Sequence, residues 1–435
     1  MRCGAVDCRR GPTSCNRVTK GCMRVAVTGL GCVTPIGSTV EAFRDAMFAG
    51  QSGIAALEGS FPGQLAPQPG LRFKATATVR DFDPAQLPST VLMSTDRSAQ
   101  FGIVAAQQAV EQSGVFSRYE AANVAVVTGC ACGGRAADED ASRELYTRNA
   151  RVPPAVILRT MASSGASHIA TQHGITGPVL NLATACASGT HAIGMAFHMV
   201  RSGMVSAAIA GGHEAPLTFG FLRAWDSMRV VSPTQCRPFS RDRDGMTLGE
   251  GAAMLVLEPL EEALSRGVRV YAEVVGFGMS ADAHHVTQPQ AAGAALALTR
   301  ALADSRQSGI EDALEQIGYI NAHGTGTLAN DAIEAEAIHR ALGDSAQRTP
   351  VGSTKSLTGH GIGAAGAIEA LATVLALERG RLPHTAGVTE ADPELKLDVL
   401  MGQPRDMDSA HPMALSNSLA FGGLNAVLAF RRLIP

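Results

Sequence analysis

Twice along this chain an apolar, β-branched run ends in a short glycine-rich turn, and twice a second strand then bends directly into a helix. The runs are VAVVTGCACGG in the first half and IGYINAHGTGT in the second. The strand-to-helix segments are NLATACASGTHAIGMAFHMVRSG and VGSTKSLTGHGIGAAGAIEALATVLALERG. After the small-residue turns, Ile193, Phe197 and Val200 in one, and Ile368, Leu371, Val374 and Leu375 in the other, fall at helical spacing. Alternating strands and helices predict an α/β architecture of stacked layers. The recurrence predicts an internal duplication, with its seam near residue 265, after LVLEPLEEALSRG. The first β-like run, MRVAVTGLG, starts at Met23, so the halves are 23–265 and 266–435, and residues 1–22 are read as a disordered or optional extension.

A chain of 435 residues, 46% of them apolar, has the material for a large buried core. Its net charge of -3 supplies no global basic field of the kind that holds nucleic acid or an anionic membrane, so an acidic partner requires a local patch. No run approaches the roughly 20 apolar residues that span a bilayer, and the most apolar helical stretch, 361–377, is interrupted by Glu369. The nine cysteines are odd in number, in a chain much longer than the small secreted domains that depend on disulfides, which favours a reducing cytoplasm. Four of them, Cys3, Cys8, Cys15 and Cys22, follow no paired zinc-ligand spacing, and no metal site is expected. The same stretch has no apolar core of a secretory signal.

Cys186, in TACASG, lies where an apolar strand turns into the start of a helix. Free backbone N–H groups and the helix dipole at such a turn are expected to stabilise a thiolate and lower its pKa. Ala185, Ala187, Ser188 and Gly189 keep the turn small enough for a thioester to approach. Taken alone, a cysteine is more often a small buried hydrophobe. His323 in NAHGTGT and His360 in KSLTGHGIGAAG also follow strands in glycine-rich turns, where their rings can enter a cleft. Two imidazoles beside a thiolate can donate hydrogen bonds to a thioester carbonyl as it becomes an enolate. His168, His173, His191, His198 and His339 are read as ordinary core or surface histidines.

Five ordered segments, TACASG, RPFSRDRDGMTLGEGAAMLVLE, NAHGTGTLAND, STKSLTGHGIGAAGAIE and SNSLAFGGLNAVLAF, give the chain a resemblance to the β-ketoacyl synthase family, synthase II type, from Met23 almost to the C-terminus. GGHEAPLTFGFLRAWDSMRVVSP and AHGTGTLAND resemble the nodulation-protein-E branch. The resemblance implies the thiolase fold, two similar α/β halves in five layers (αβαβα), usually as a homodimer, with a heterodimer of related subunits as the other arrangement. It implies decarboxylative condensation of an acyl thioester on Cys186 with malonyl-acyl-carrier protein, with His323 and His360 as the decarboxylation and condensation pair. The oxyanion hole would be the N–H groups of Cys186 and Phe421, with Phe421 also a gate. Lys355 and Glu369 would be an ion pair holding the histidine turn, and Asp331 a supporting carboxylate. Thr287, Thr325 and Thr327 would contact the phosphopantetheine arm that carries the substrates, no separate cofactor being needed. A lysine–glutamate pair can equally be structural, and turn threonines often satisfy their own backbone.

Departures from the synthase II pattern bear on substrate size: Leu419, Ala420 and Leu424 replace Phe, Gly and Thr, and Cys132 replaces an isoleucine of the acyl pocket, where Trp225 would line the deeper end. Arg229 is the first candidate for docking an acidic carrier protein, ahead of Arg72 and Lys74.

Three competing readings are set against this one. A nucleotide-dependent oxidoreductase would use Gly29-Leu30-Gly31, but Thr34 stands at the third glycine of the fingerprint and no acidic residue follows about 20 residues on. A thiolase needs a second reactive cysteine near its C-terminus, and none follows Cys236; a type III synthase would have Asn in place of His360. A non-catalytic chain-length-factor subunit loses the nucleophile, whereas this chain keeps all three catalytic positions.

Overall fold

The computed structural model describes residues 23–57 and 70–433; the proposed extension 1–22, with its four cysteines, lies outside the described residues. In the first half the strands are β1 (Val25–Val33), β2 (Val124–Gly129), β3 (Val179–Leu182), β4 (Ala207–Glu214) and β5 (Gly251–Pro259). The second half contributes β6 (Ala272–Ala281), β7 (Ile317–Asn321), β8 (Pro350–Gly352), β9 (Met413–Ala420) and β10 (Leu424–Arg431). Outward from the join the first set runs β1-β5-β4-β2-β3 and the second β6-β10-β9-β7-β8, with a two-residue strand, Asp398–Val399, at the far edge. Each set has two antiparallel pairings followed by two parallel ones. The halves therefore share one topology, and they join through an antiparallel β1–β6 ladder.

The principal helices are α1 (Arg97–Ser113), α2 (Ser164–His173), α3 (Ser188–Arg201), α4 (Phe219–Met228), α5 (Ala291–Ser305), α6 (Leu328–Leu342) and α7 (Ala365–Arg379). α1 and α2 cover one outer face and α5 and α6 the other, while α3 and α7 lie back to back between the two strand sets. This is the five-layered, thiolase-like arrangement expected from the sequence. The middle layer is the most deeply enclosed: α7 is buried from Ala365 to Leu377, which explains why it is the most apolar of the principal helices. No helix among the described residues is long and apolar enough to cross a membrane.

Close helix contacts account for glycines that could be mistaken for a nucleotide loop. Gly29 and Gly31 lie inside β1, where a Cβ would stand 2.1 Å from the Ala109 carbonyl oxygen and 1.9 Å from that of Ala105, both on α1. A bulge between Val27 and Gly29 shifts the register there. The backbone N–H groups of Leu30 and Cys32 donate instead to Gln112 and Gln108 of α1, at 2.7 and 3.0 Å. The Gly-Leu-Gly element is a helix-packing device.

Candidate active site

Two turns of the same shape feed the middle helices. Ala185 adopts φ 48°, the 3₁₀ turn Ala185–Ala187 follows, and α3 begins at Ser188. In the second half Ile362 adopts φ 48°, the 3₁₀ turn Ile362–Ala364 follows, and α7 begins at Ala365. A left-handed φ at a residue with a side chain is costly, so both turns are held by their surroundings. One support is the helix crossing itself: a Cβ on Gly189 would lie 2.7 Å from the Ala367 nitrogen, and one on Gly366 would lie 1.9 Å from the Thr190 hydroxyl.

The first turn lifts Cys186 to the floor of a cavity of about 120 Å³ that His323 and His360 also line. His360 Nε2 is 3.0 Å from the Cys186 sulfur. The two imidazoles meet edge to face, with ring centroids 5.3 Å apart. The N–H groups of Phe421 and of Cys186 itself favour the thiolate form of the sulfur. The three residues taken from distant parts of the sequence thus converge on one point.

Behind them Lys355, fully buried, donates to His323 Nδ1 at 3.2 Å and to the His323 carbonyl at 2.6 Å, and is ion-paired with Glu369. An ammonium has donors only, so His323 Nδ1 must be the acceptor and the ring proton resides on Nε2. Burial, then Lys355, holds both histidines well below the ordinary imidazole range. They are neutral at physiological pH.

The thiol departs from the sequence expectation. Burial pushes Cys186 up to about 11, and the Lys355 ammonium and the N–H groups of Phe421 and Cys186 offset this only in part. The helix-start effect, which favours a thiolate at an exposed turn, is outweighed here because the sulfur is enclosed. The resting pair is a thiol beside a neutral imidazole.

Cys186 and both histidines present donor atoms within 4.8 Å of one another, a spacing that could hold a metal ion. The donor set fits a cation poorly: the Lys355 ammonium already occupies His323 Nδ1 and stands on that side of the cluster, and the cysteine would have to surrender its proton from a pKa near 11.

Comparison with known proteins decides what this arrangement belongs to. Residues 23–263 match the Beta-ketoacyl synthase, N-terminal domain, and residues 271–389 the Beta-ketoacyl synthase, C-terminal domain. The chain belongs to the β-ketoacyl synthase family. It is 38% identical over 416 residues to Nodulation protein E of Rhizobium leguminosarum bv. trifolii, a match covering 94% of this chain and 99% of the relative. It is 40% identical over 420 residues to 3-oxoacyl-[acyl-carrier-protein] synthase 2 of Synechocystis sp., covering 94% and 98%. Among solved structures, the ishigamide ketosynthase/chain length factor matches with a TM-score of 0.87 at 33% identity, covering 95% of this chain and 100% of that one. The synthase is an acyltransferase, and the non-catalytic alternative is not favoured.

The remaining predicted residues are distributed around the cavity of the synthase. Thr325 and Thr327 line it and bond to each other at 3.0 Å, and Thr327 also caps α6 by accepting from the Asn330 N–H. Thr287 lies at the exposed mouth, on a loop whose Val286 carbonyl accepts the Gly422 N–H at 2.7 Å. Asp331, buried, accepts from the N–H groups of Phe239 and Gly326 and so braces the turn after His323; burial raises it to about 6. Trp225 and Phe421 line the cavity as a stacked pair. Cys132 does not line it; it packs in the apolar cluster that also takes in Trp225. Arg229 is exposed at the end of α4, next to Val230 of the cavity wall. Arg72 is committed to Asp226 at 3.2 Å. The five histidines read as ordinary lie outside the cavity lining.

Two buried glutamates escaped the sequence reading. Glu334 accepts from the N–H groups of His323 and Gly324 at 2.7 and 2.8 Å. It follows Asp331 by one helical turn, and that i, i+3 pairing of acids on α6 was the available signal. Glu214 accepts from the N–H groups of Ala131, Cys132 and Gly363. Nothing in the sequence around it marks that role.

Proposed function

We propose that this chain loads an acyl group onto Cys186 and condenses it with malonyl-acyl-carrier protein, lengthening the chain by two carbons. The observation that carries the assignment is the 3.0 Å contact of His360 Nε2 with the Cys186 sulfur, beside a His323 whose proton is fixed on Nε2. In the loading step the thiol proton passes to His360 as the sulfur attacks the incoming thioester carbonyl. The carbonyl oxygen takes negative charge between the N–H groups of Cys186 and Phe421. The pantetheine sulfur leaves and takes the proton from His360, restoring the neutral imidazole. In the second step the malonyl C–C bond breaks and CO₂ departs, leaving its electron pair in an enolate. Nε2–H of His323, and of His360 in its Nε2–H tautomer, hydrogen-bond that oxygen. The enolate carbon attacks the acyl carbonyl on Cys186, and the sulfur leaves as a thiolate that takes up one proton from solvent to restore the thiol.

Neutral imidazoles suit this division, because an imidazolium beside Lys355 would add a second buried cation. Thr325, Thr327 and Thr287 mark a polar path from the sulfur to the mouth, suited to a phosphopantetheine arm, and the arm itself supplies the substrate without a further cofactor. Arg229 is the docking cation for an acidic carrier protein at that mouth. Cys132 acts on the acyl pocket through the packing of Trp225. The working boundary between the halves is near residue 265, the assembly is a dimer, and the compartment is the cytoplasm.

The test incubates the protein with acyl-carrier proteins of several chain lengths and identifies the adduct by mass spectrometry. An acyl group on Cys186 is expected; an adduct elsewhere, or none with any carrier, would sink the assignment.

A further inference from the structure

Phe421 must keep its amide aimed at the Cys186 sulfur, yet it precedes two glycines with positive φ, Gly422 at 85° and Gly423 at 68°. Glycines make such a backbone permissive, so its direction depends on the bonds and packing around it. The backbone is tied by the Gly422 N–H donating to the Val286 carbonyl, the Gly423 N–H to the Ala420 carbonyl at 3.0 Å and the Asp282 N–H to the Gly423 carbonyl at 2.9 Å, and the side-chain support is the Phe421 ring, which lies against Trp225 with centroids 5.7 Å apart and planes 16° from parallel. Trp225 itself is anchored. Phe221 meets its edge at 6.0 Å, and it packs in a cluster with Leu71, Phe73, Leu222, Met246 and Ile362. Arg72 pairs with the next residue, Asp226, and ties α4 to the segment beneath it.

We propose that Trp225 is a positioning residue for the oxyanion donor: its stack on Phe421 fixes the Phe421 amide over Cys186. The stack is also the element that acylation disturbs. Cys186, Trp225 and Phe421 line one cavity, so an acyl chain extending from the sulfur meets the paired rings. This inference rests on the assignment of Cys186 as acyl acceptor and adds to it a residue that acts through Phe421.

The chain contains one tryptophan, so its fluorescence reports on this contact alone when excited where tyrosine does not absorb. Phe421→Leu in the resting protein is expected to change that emission, because the stacked partner is gone. Acylation of Cys186, followed in parallel by mass, should change it as well. In kinetics, Trp225→Leu should lower acyl transfer and condensation by about 2- to 10-fold, the worth of one aromatic pair. Malonyl decarboxylation, which draws on the histidines rather than the two N–H donors, should fall by less. Trp225→Phe, which keeps a ring in place, should recover most of the loss, and it remains informative if the leucine variant does not fold.

Emission that is unchanged by stoichiometric acylation and by Phe421→Leu would overturn the proposal. So would equal losses in decarboxylation and acyl transfer, which indicate general loosening of the site. Failure to form any Cys186 adduct refutes the underlying assignment instead, and the Phe421→Leu emission then still decides whether the stack exists.

Discussion

The turn at Cys186 and the turn at Gly363 are the same piece of backbone built twice, and only one of them carries a thiol. Both enter their helix through a residue at φ 48° and a 3₁₀ turn, and Cys186 and Gly363 occupy the same place in that turn. The difference lies in what fills the space beyond. Cys186 faces a cavity, whereas a Cβ on Gly363 would stand 2.5 Å from Glu214 Oε2 and 2.7 Å from the Ala131 nitrogen. In the second half the glycine leaves room for its backbone N–H to donate to Glu214, and the two histidines of the cavity, His323 and His360, stand in neighbouring turns. The scaffold is shared, and the two copies differ where they touch.

The largest expected effect follows from this asymmetry. Cys186→Ala should abolish acyl transfer while some malonyl decarboxylation persists, since the histidines remain. His323→Ala and His360→Ala should show the converse, acylating Cys186 but condensing poorly, with each lost donor costing on the order of 3 kcal/mol. Moving the thiol across, by combining Cys186→Gly with Gly363→Cys, should restore nothing. Recovery of condensation in that double variant would mean that the two turns are interchangeable after all.

The next effect tests how the second half holds its histidine. Lys355→Met leaves Glu369 buried without its partner and His323 Nδ1 without its donor. A broken buried pair typically costs about 3–5 kcal/mol of stability, measurable by denaturant unfolding. Adding Glu369→Leu should return much of that stability but not the activity. With the ammonium gone, one of the causes holding His323 low is removed, so condensation should acquire a new loss of activity on the acid side. If the double variant regains activity together with stability, the pair is only structural.

How much of this was legible in the sequence depends on the kind of interaction. Cys186, His323 and His360 sit in short motifs whose small residues are demanded by local geometry, and local geometry is written in consecutive residues. The duplication was readable for the same reason, since each copy runs from a small-residue turn straight into an apolar helical stripe, marked by Ile193 in one and Ile368 in the other. Gly29 and Gly31 were rightly withheld from a nucleotide loop, although only the α1 contact explains them. What could not be read was the balance of long-range forces. Cys186 has a helix start in front of it in sequence, but its burial is decided by residues more than a hundred positions away. Glu214 meets Gly363 across 149 positions. Cys132 aligned with a pocket wall, yet in this chain Trp225 and Phe421 stand at the cavity surface and the cysteine packs in the cluster behind it.

Glu214 offers a smaller and pH-dependent effect. Burial raises its carboxyl from 4.5 to about 7 against four bonds that favour the charged form, from Ala131, Cys130, Cys132 and Gly363. A carboxyl whose folded pKa exceeds its unfolded one contributes stability below about 4.5, and that contribution is lost as the pH rises through about 7. The full span is on the order of 3 kcal/mol. Glu214→Gln cannot ionise, so the parent should lose stability relative to this variant across that window. Melting temperatures of both proteins at a series of pH values provide the measurement. A difference that stays constant with pH would show that Glu214 does not titrate there.

The smallest effect concerns the mouth, where the two halves face each other and again differ. The first half brings Arg229, exposed beside the cavity residue Val230, and the second brings the loop of His285, Thr287 and Pro289. Arg229 makes no ion pair among the described residues, unlike Arg72, so its charge remains available to a partner. With a net charge of -3 the whole molecule repels an acidic carrier protein weakly, and a local cation must do the steering. A single exposed charge contributes roughly 0.2–1 kcal/mol, so Arg229→Glu should raise KM for the acyl-carrier protein by several-fold and leave kcat nearly unchanged. It should also flatten the dependence of KM on salt, because rim charges act mainly on the association rate. Thr287→Ala on the opposite rim removes a hydroxyl rather than a charge, so its effect should not vary with ionic strength. If the arginine variant keeps both its KM and its salt dependence while the threonine variant does not, the second half alone receives the carrier, and the first contributes only the thiol and the wall behind it.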